Sequence, residues 1–483
     1  MASPQINISN CTADEGNGDF QRNILDFWRI INGLEVYANL GLRETVERLK
    51  INSEDCLCYI RNASDSDDLQ CTRDGYDAAY DLAERHINSL TVPENYSVED
   101  LAKAIRRNIA RCFVEEKFDE PALHKLLLES TKEAEISHLP RIYHFPCVLV
   151  RASQPPHIQL GPVIFSHAAA FPELMKADFH NYVEQETDKE TAQEKIRTFQ
   201  QFVQSAGWAA TVRIPPAAES ASRKRAEKTI MTAINLLRLV IGIPHSQDMR
   251  LAHFAGSPIH TQYASHEGRR LIFTTNRKLS GALVTADWHA IFQHIPEFWH
   301  RANHLLSVNV EGKRSEMANR VIDALSWFGE AAFETEPGTK IAKFVAALER
   351  LVTTHKFSPH MFCTRVALLT RDPNSDNFED CYWEADEVYS ARCEIMHGAS
   401  SPTDPKFLRH LFLAHNVTRT AIFRALEIHC VLDDNNGTST VTDLNNYFVS
   451  EQSKFAPKMG KLKTEIKKRK ISKFQSQQQR IRI

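Results

Sequence analysis

The chain has 483 residues, of which 42% are hydrophobic and 25% are charged, and its formal net charge is −3. These values exclude a small disulfide-stapled scaffold, a largely disordered chain and a fibrous repeat, and they predict about three globular domains. No apolar run approaches the roughly 18 residues that cross a bilayer, and the N-terminus lacks a secretion signal, so we expect no membrane partner and a cytoplasmic location.

Residues 1–138 are predicted to form a mainly helical N-terminal region. Apolar residues recur at helical spacing over 20–49, and a second helix is predicted over 98–115 with Ser97 as its N-cap. These apolar positions are typical of helix faces that pack into a core. They indicate no functional site in this region.

A change in composition near residue 142 predicts a small α+β middle domain over 139–310. The β-branched runs at 145–150 and 158–165 predict a pair of strands, and further strands are expected over 209–214 and 270–275. A long amphipathic helix is predicted over 217–243.

Helical periodicity returns over 311–450. Helices are predicted over 318–334, 339–354, 360–370, 380–397 and 405–430, with short loops between them. Short connections between helices of this length favour an antiparallel bundle. The predicted fold is therefore mainly α, with a small α+β middle domain and a C-terminal antiparallel helical bundle.

The last predicted region, 451–483, is a basic tail that we expect to be disordered. Residues 454–483 carry a net charge of +10, which leaves −13 on the rest of the chain. The densest cluster, formed by Lys467, Lys468, Arg469 and Lys470, would attract a polyanion such as RNA. A merely solvated chain end explains the same composition.

Histidines in the middle domain raise the question of a metal site. His289, His294, His300 and His304 are close in sequence, and the last two are spaced i, i+4. However, Pro296 separates the two pairs, no HExxH motif is present, and Glu297 is the one acid suitably spaced to join His300 and His304. The ten cysteines form no CxxC pair and are typical of free thiols in a reducing compartment. We therefore predict no metal and no cofactor.

The pattern Arg-x4-His occurs at Arg350, Arg392 and Arg424. Only Arg392 has mostly apolar helical neighbours three and four positions away, whereas Arg350 and Arg424 have the neighbours of ordinary surface arginines. A charge on an apolar face is costly unless it is paired or meets an anion. Arg392 is thus either in a structural ion pair, with Glu349 or Glu394, or a phosphate-binding residue in a cleft between helices or subunits.

His397 lies at the predicted end of the same helix, because Gly398 fits a left-handed helix terminus. An ordinary imidazole pKa of about 6.5 makes both protonation states accessible near neutral pH, which suits acid and base catalysis. Five helical positions separate Arg392 from His397 by about 140° around the axis. Either the reach of the two side chains or a second copy of the helix across a two-fold axis could bring both groups to one phosphate.

Together these residues resemble the Apea-like branch of the HEPN superfamily. The resemblance rests on Tyr389-x-x-Arg392-x4-His397-Gly398, on Leu348-Glu349-x-Leu351, and on Ala324-Leu-Ser-Trp327-Phe328. The segment Gly161-Pro-Val-Ile-Phe165 resembles a strand that often precedes this module. The similarity covers about residues 315–430.

The resemblance implies a homodimeric, metal-independent endoribonuclease with a role in antiviral defence or a toxin-like stress response. Arg392 and His397 would be catalytic, with Tyr389, Glu349 and Glu394 supporting the site, and the products would carry 2′,3′-cyclic phosphate ends. One departure is Cys393, which stands where active members usually have a polar residue. The alternatives are a catalytically inert sensor or dimerisation module that binds RNA or a nucleotide, and a structural protein in which Arg392 is neutralised internally.

Overall fold

The computed structural model of the chain describes residues 18–38, 58–61, 68–114, 120–252, 260–267, 270–277, 288–290, 294–354, 358–436, 439–455, 460, 462 and 464. Over these residues the chain is mostly helical and contains one small antiparallel sheet besides two isolated hairpins. No helix in the described ranges is both long and apolar enough to span a membrane. The basic tail predicted to bind RNA, Lys467 to Lys470, lies outside the described residues.

Contacts divide the chain into two compact units. One contains residues 1–141 and 214–225, and the other contains residues 142–213 and 226–483. The change from the first unit to the second after residue 141 lies close to the predicted domain boundary at residue 139. The predicted middle domain and helical bundle both fall mainly in the second unit.

The described part of the first unit is built from the helices Gly18–Ala38 (α1), Arg73–Asn88 (α2), Val98–Val114 (α3) and Glu120–Ile136 (α4). Each packs against the next, and Phe27, Leu82 and Ile105 lie in their shared core. This agrees with the predicted helical region, although residues 39–49 of the predicted first helix are outside the described ranges. A hairpin of Cys58–Arg61 (β1) and Asp68–Cys71 (β2) was not predicted, because strands of four residues carry little periodicity.

A five-stranded sheet lies mostly in residues of the second unit. Its strands are Leu139–Val148 (β3), His157–Leu160 (β4), Val163–His167 (β5), Trp208–Ala217 (β6) and Arg250–Leu251 (β7), in the order β4-β5-β6-β3-β7. The predicted pairing of runs 145–150 and 158–165 is wrong, because residues 158–165 form the β4–β5 hairpin and β6 lies next to β3. Gly161 makes the turn with a φ of +57°, a conformation that glycine adopts without strain.

Helices and a second hairpin connect these strands to the C-terminal region. Phe171–Leu174 (α5), Lys176–Gln185 (α6) and Lys189–Ala206 (α7) precede β6, and Glu219–Ile241 (α8) and Ile243–Ser246 (α9) follow it. His260–Glu267 (β8) pairs with Arg270–Arg277 (β9). The strands predicted over 209–214 and 270–275 and the helix predicted over 217–243 are therefore present as β6, β9 and α8.

The C-terminal helices in the described ranges are Pro296–Glu311 (α10), Glu316–Phe333 (α11), Pro337–Val352 (α12), Pro359–Thr370 (α13), Phe378–Met396 (α14), Phe407–Asn436 (α15) and Val441–Lys454 (α16). The longest, α15, contacts α10, α11, α12, α13 and α14, while α12 also contacts α11 and α14. Phe328, Leu348, Phe362 and Val388 are buried among them. Each of the five predicted helices begins within two residues of its predicted start.

The loop after α14 packs closely against the start of α12. The Gly338 amide donates to the Pro402 carbonyl at 2.9 Å, and a Cβ at Gly338 would lie 2.6 Å from the Pro402 Cα. We expect Gly338→Ala to lower the free energy of unfolding by about 1–3 kcal/mol, because backbone atoms of the loop must move. Urea denaturation measures this change.

Gly398→Ala is the matched control for steric conflict. A Cβ there meets nothing within 4 Å, so its cost comes from the φ of +71° alone and should be about 1 kcal/mol. Equal unfolding free energies for the Gly338→Ala variant and the wild type would show that the loop adapts freely and would contradict the prediction.

Candidate functional site

An open groove of about 670 Å³ lies on the surface formed by α11, α12 and α14. It is lined by Arg320 and Trp327 of α11, by Ala346, Glu349 and Arg350 of α12, by Thr353 and Thr354 after that helix, and by Tyr389 and Arg392 of α14. The lining thus presents three guanidinium groups and one carboxylate. We call it the arginine groove.

Arg392 is half-buried in this groove, with 27% of its side chain exposed. Its nearest acidic partner is Glu349, and the distance from Arg392 Nη2 to Glu349 Oε1 is 3.8 Å. Among the described residues Arg392 has no hydrogen-bond partner. The expected burial on an apolar face is therefore only partial: Val388 is buried, but Met396 on the same helix is 58% exposed.

Arg320 and Arg350 are fixed by other contacts. Arg320 is buried and donates from Nη1 to the carbonyls of Arg350 and Thr353, at 2.8 and 2.7 Å. Arg350 donates from Nε to Asp323 at 2.8 Å. These bonds hold two guanidinium groups at the groove. Arg350 has 40% of its side chain exposed and is paired with Asp323, as an ordinary surface arginine is, and it also lines the groove.

Arg424, the third arginine of the Arg-x4-His pattern, is also not fully exposed. Its side chain is 28% exposed, nearly the same as that of Arg392, and it pairs with Glu427 at 2.5 Å. Arg392 and Arg424 are therefore almost equally exposed, although their neighbours on the helix differ. Exposure also depends on residues of other helices, which the helical spacing does not include. Among the described residues, Arg392 differs from Arg424 in that its acidic contact, Glu349, is 3.8 Å away and it makes no hydrogen bond.

Glu349 and Tyr389 lie in the arginine groove with Arg392. Burial raises the pKa of Glu349, and the charge of Arg392 opposes that shift. Burial and the neighbouring Cys393 raise the pKa of Tyr389 to about 12, so its hydroxyl stays protonated at neutral pH and can donate a hydrogen bond. The Tyr389 ring is also held against Phe362, with 4.9 Å between ring centroids.

His397 caps the C-terminus of α14 and is exposed. Its amide donates to the Cys393 carbonyl at 3.0 Å, and Gly398 follows with a φ of +71°, as the predicted helix terminus requires. His397 is not among the residues that line the arginine groove. A single chain therefore brings Arg392, Tyr389 and Glu349 together in the groove and leaves His397 outside its lining.

Glu394 faces a different groove, of about 370 Å³, together with Asp386, Glu387 and His410. Its carboxylate is 2.9 Å from the Lys406 ammonium, and hydrogen bonds from Lys406 and Ser400 lower the pKa of Glu394. Glu349 rather than Glu394 is thus the acid near Arg392.

Among the described residues, His294 and His300 do not join His304 in a group of potential metal ligands, and the side chain of His289 lies outside the described residues. Glu297 lies 3.5 Å from Arg301, and His300 is exposed. His304, however, meets His429 and Asp433 of α15. Sequence spacing could not show this group, since α10 and α15 are far apart along the chain.

Comparison of the chain with known proteins identifies no relative. No family model, no curated protein and no solved structure matches the chain. The functional assignment therefore depends on the site residues themselves.

Proposed function

We propose that the chain is a metal-independent endoribonuclease of the HEPN type that works as a homodimer and binds RNA in the arginine groove. The observation that carries this proposal is the guanidinium of Arg392, which faces an open groove 3.8 Å from its nearest acid and without a hydrogen bond to a described residue. A planar guanidinium with free donors fits a phosphate by two parallel hydrogen bonds.

The charge of the groove favours a polyanion. Arg320, Arg350 and Arg392 outnumber Glu349 among the lining residues, and Arg320 and Arg350 are already oriented by their bonds to carbonyls and to Asp323. Because Asp323 neutralises Arg350, the positive charge of the groove comes mainly from Arg320, which raises the local concentration of phosphate, and from Arg392, which can bind phosphate directly. Trp327, which is 39% exposed, offers a ring on which a base can stack.

The proposed reaction uses Arg392 and His397 at one phosphate. A neutral His397 removes the proton from a ribose 2′-hydroxyl, whose oxygen attacks the adjacent phosphorus while the bond to the 5′-oxygen breaks. His397, protonated by this step, passes the proton to the leaving 5′-oxygen, so the products are a 2′,3′-cyclic phosphate and a 5′-hydroxyl. Arg392 stabilises the extra charge on the phosphate oxygens. Since His397 is outside the groove lining of its own chain, the proposal requires His397 from the second copy.

The position of His397 also favours a second candidate, an inert HEPN-like module that binds RNA or a nucleotide. In that case the arginine groove holds the phosphate and no imidazole reaches it. Binding without cleavage distinguishes this candidate from the nuclease. In either case the residues upstream of the bundle would act as sensor or regulatory parts of a cytoplasmic effector in antiviral defence or stress.

Purified full-length protein incubated with end-labelled single-stranded RNA in EDTA tests the proposal. The nuclease predicts cleavage without Mg²⁺, and circular dichroism in the same buffer verifies that the chain is folded. Binding without cleavage would favour the inert module. A requirement for added Mg²⁺, or neither binding nor cleavage, would contradict the proposal.

The basic tail is proposed as a second, non-specific RNA contact. Replacing Lys467, Lys468, Arg469 and Lys470 by glutamine removes four positive charges and should flatten the slope of log K against log salt by up to about 2.8 for single-stranded RNA. Fluorescence anisotropy over a salt series measures this slope. The same replacement of Lys189, Lys195, Arg197 and Lys176, which lie on α6 and α7, is the charge-matched control, and equal slopes in the two variants would assign the tail to solvation.

A further inference from the structure

Two histidines and an aspartate converge between α10 and α15. Asp433 Oδ2 lies 3.3 Å from His429 Nδ1 and 3.7 Å from His304 Nε2. One potential ligand atom from each of the three residues lies within 4.8 Å of the other two. His429 and Asp433 are one helical turn apart on α15, so they present their side chains on one face.

Three of the four histidine ring nitrogens in this cluster have no hydrogen bond to a described residue. These are the two ring nitrogens of His429, which is completely buried, and the buried Nε2 of His304. Leaving buried polar atoms unpaired costs about 1–3 kcal/mol each. Native interiors avoid this cost, so the arrangement points to a ligand that accepts nitrogen lone pairs.

Asp433 is oriented toward the two rings by a separate set of contacts. The amide of Ser439 donates to Asp433 Oδ1 at 3.0 Å, and the Ser439 hydroxyl donates to the same oxygen. The Ser315 hydroxyl lies 3.5 Å from Oδ2. Asp433 Oδ2 therefore faces His304 and His429.

We propose that His304, His429 and Asp433 bind a divalent transition-metal ion, with Zn²⁺ as the ion to test. Two imidazoles and a carboxylate are a common zinc donor set, and a water molecule would complete four-coordination. Ligand atoms about 2.0–2.1 Å from a tetrahedral Zn²⁺ are separated by about 3.3 Å, close to the separations of 3.3 and 3.7 Å that Asp433 Oδ2 makes with the two nitrogens.

The metal ion would connect α10 to α15 and stabilise the fold. Its ligands lie on α10 and α15, whereas the arginine groove is lined by residues of α11, α12, α14 and the segment after α12. The proposed RNA cleavage therefore does not use this ion. His304 is 34% exposed on its side chain, which gives the ion a route from solvent.

Zinc binding by the tag-free full-length protein tests the site. We compare the wild type with His304→Gln and Asp433→Asn, which keep the approximate shapes of the side chains, and with His300→Gln, an exposed histidine one turn earlier on α10. We measure the zinc content after dialysis, the zinc affinity from competition with a chromophoric chelator, and the melting temperature with and without Zn²⁺. Circular dichroism identifies any variant that fails to fold.

The wild type and His300→Gln should each bind one tightly held Zn²⁺ per chain, and Zn²⁺ should raise their melting temperatures. His304→Gln and Asp433→Asn should bind Zn²⁺ at least about tenfold more weakly and should lose most of the thermal shift. No saturable zinc binding by the wild type, or equal affinity in all four proteins, would overturn the proposal, as would a loss in His300→Gln as large as in His304→Gln. None of these readouts depends on RNA cleavage.

Discussion

Replacing Arg392 by glutamine should reduce the single-turnover rate of RNA cleavage by about 100-fold to 1000-fold, because the transition state loses a preorganised cationic donor. RNA affinity should fall by about tenfold, the cost of one charged hydrogen bond to a phosphate. Arg392→Lys should give an intermediate rate, since lysine keeps the charge but cannot form two parallel hydrogen bonds. Rapid-quench kinetics and anisotropy measure the two effects separately.

Arg424→Gln is the matched control for Arg392→Gln. Arg424 has the same Arg-x4-His spacing and nearly the same exposure, 28% against 27%, but it is paired with Glu427 and lies on α15. Its replacement should leave RNA binding and cleavage unchanged after correction for the folded fraction. Equal losses in the two variants, or full activity in Arg392→Gln, would remove the arginine groove from the proposed reaction.

Replacing His397 by alanine should reduce cleavage by about 100-fold to 10,000-fold, the usual contribution of a general acid or base. RNA affinity should stay within about twofold of wild type, because proton transfer by His397 acts in the transition state and adds little to binding of the intact RNA. The expected separation of cleavage from binding distinguishes a catalytic imidazole from one that only caps a helix. His300→Ala, which removes another exposed histidine, should affect neither quantity.

Mixing Arg392→Gln with His397→Ala tests whether the site spans two chains. If each site takes Arg392 from one subunit and His397 from the other, a heterodimer regains one intact site. After subunit exchange at equal concentrations, about a quarter of the wild-type activity should return. If both groups come from one chain, no heterodimer has an intact site and the mixture stays inactive. Full activity in His397→Ala alone would contradict any role for this imidazole.

Helix positions in the C-terminal region could be predicted because apolar periodicity and capping residues coincide there. In the structure, Ser315 and Ser358 accept hydrogen bonds from the first turns of α11 and α13, as serine N-caps do. Strand pairing was less predictable. The apolar run at 158–165 was predicted as one strand, but a turn at Gly161 divides it into two. Which strand lies next to β3 depends on contacts between segments that are distant in sequence.

The candidate site was predictable only in part. Tyr389, Arg392 and Glu349 come together as their helices suggested, but Arg320 was missed because its partners, the carbonyls of Arg350 and Thr353, lie on another segment. Its position among Met317, Val321 and Ala324 on a buried helix face was the signal that could have identified it. His429 matched the Arg-x4-His pattern, yet its convergence with His304 depends on the packing of α10 against α15.

The chemical ends of RNA fragments made by the wild-type protein in EDTA test the central claim most directly. Attack by the ribose 2′-hydroxyl predicts 2′,3′-cyclic phosphate and 5′-hydroxyl ends, which are identified by mass spectrometry and by labelling with and without phosphatase. These ends should disappear in Arg392→Gln and persist in Arg424→Gln. Fragments with 5′-phosphate and 3′-hydroxyl ends, or cleavage that requires Mg²⁺, would contradict the proposed function.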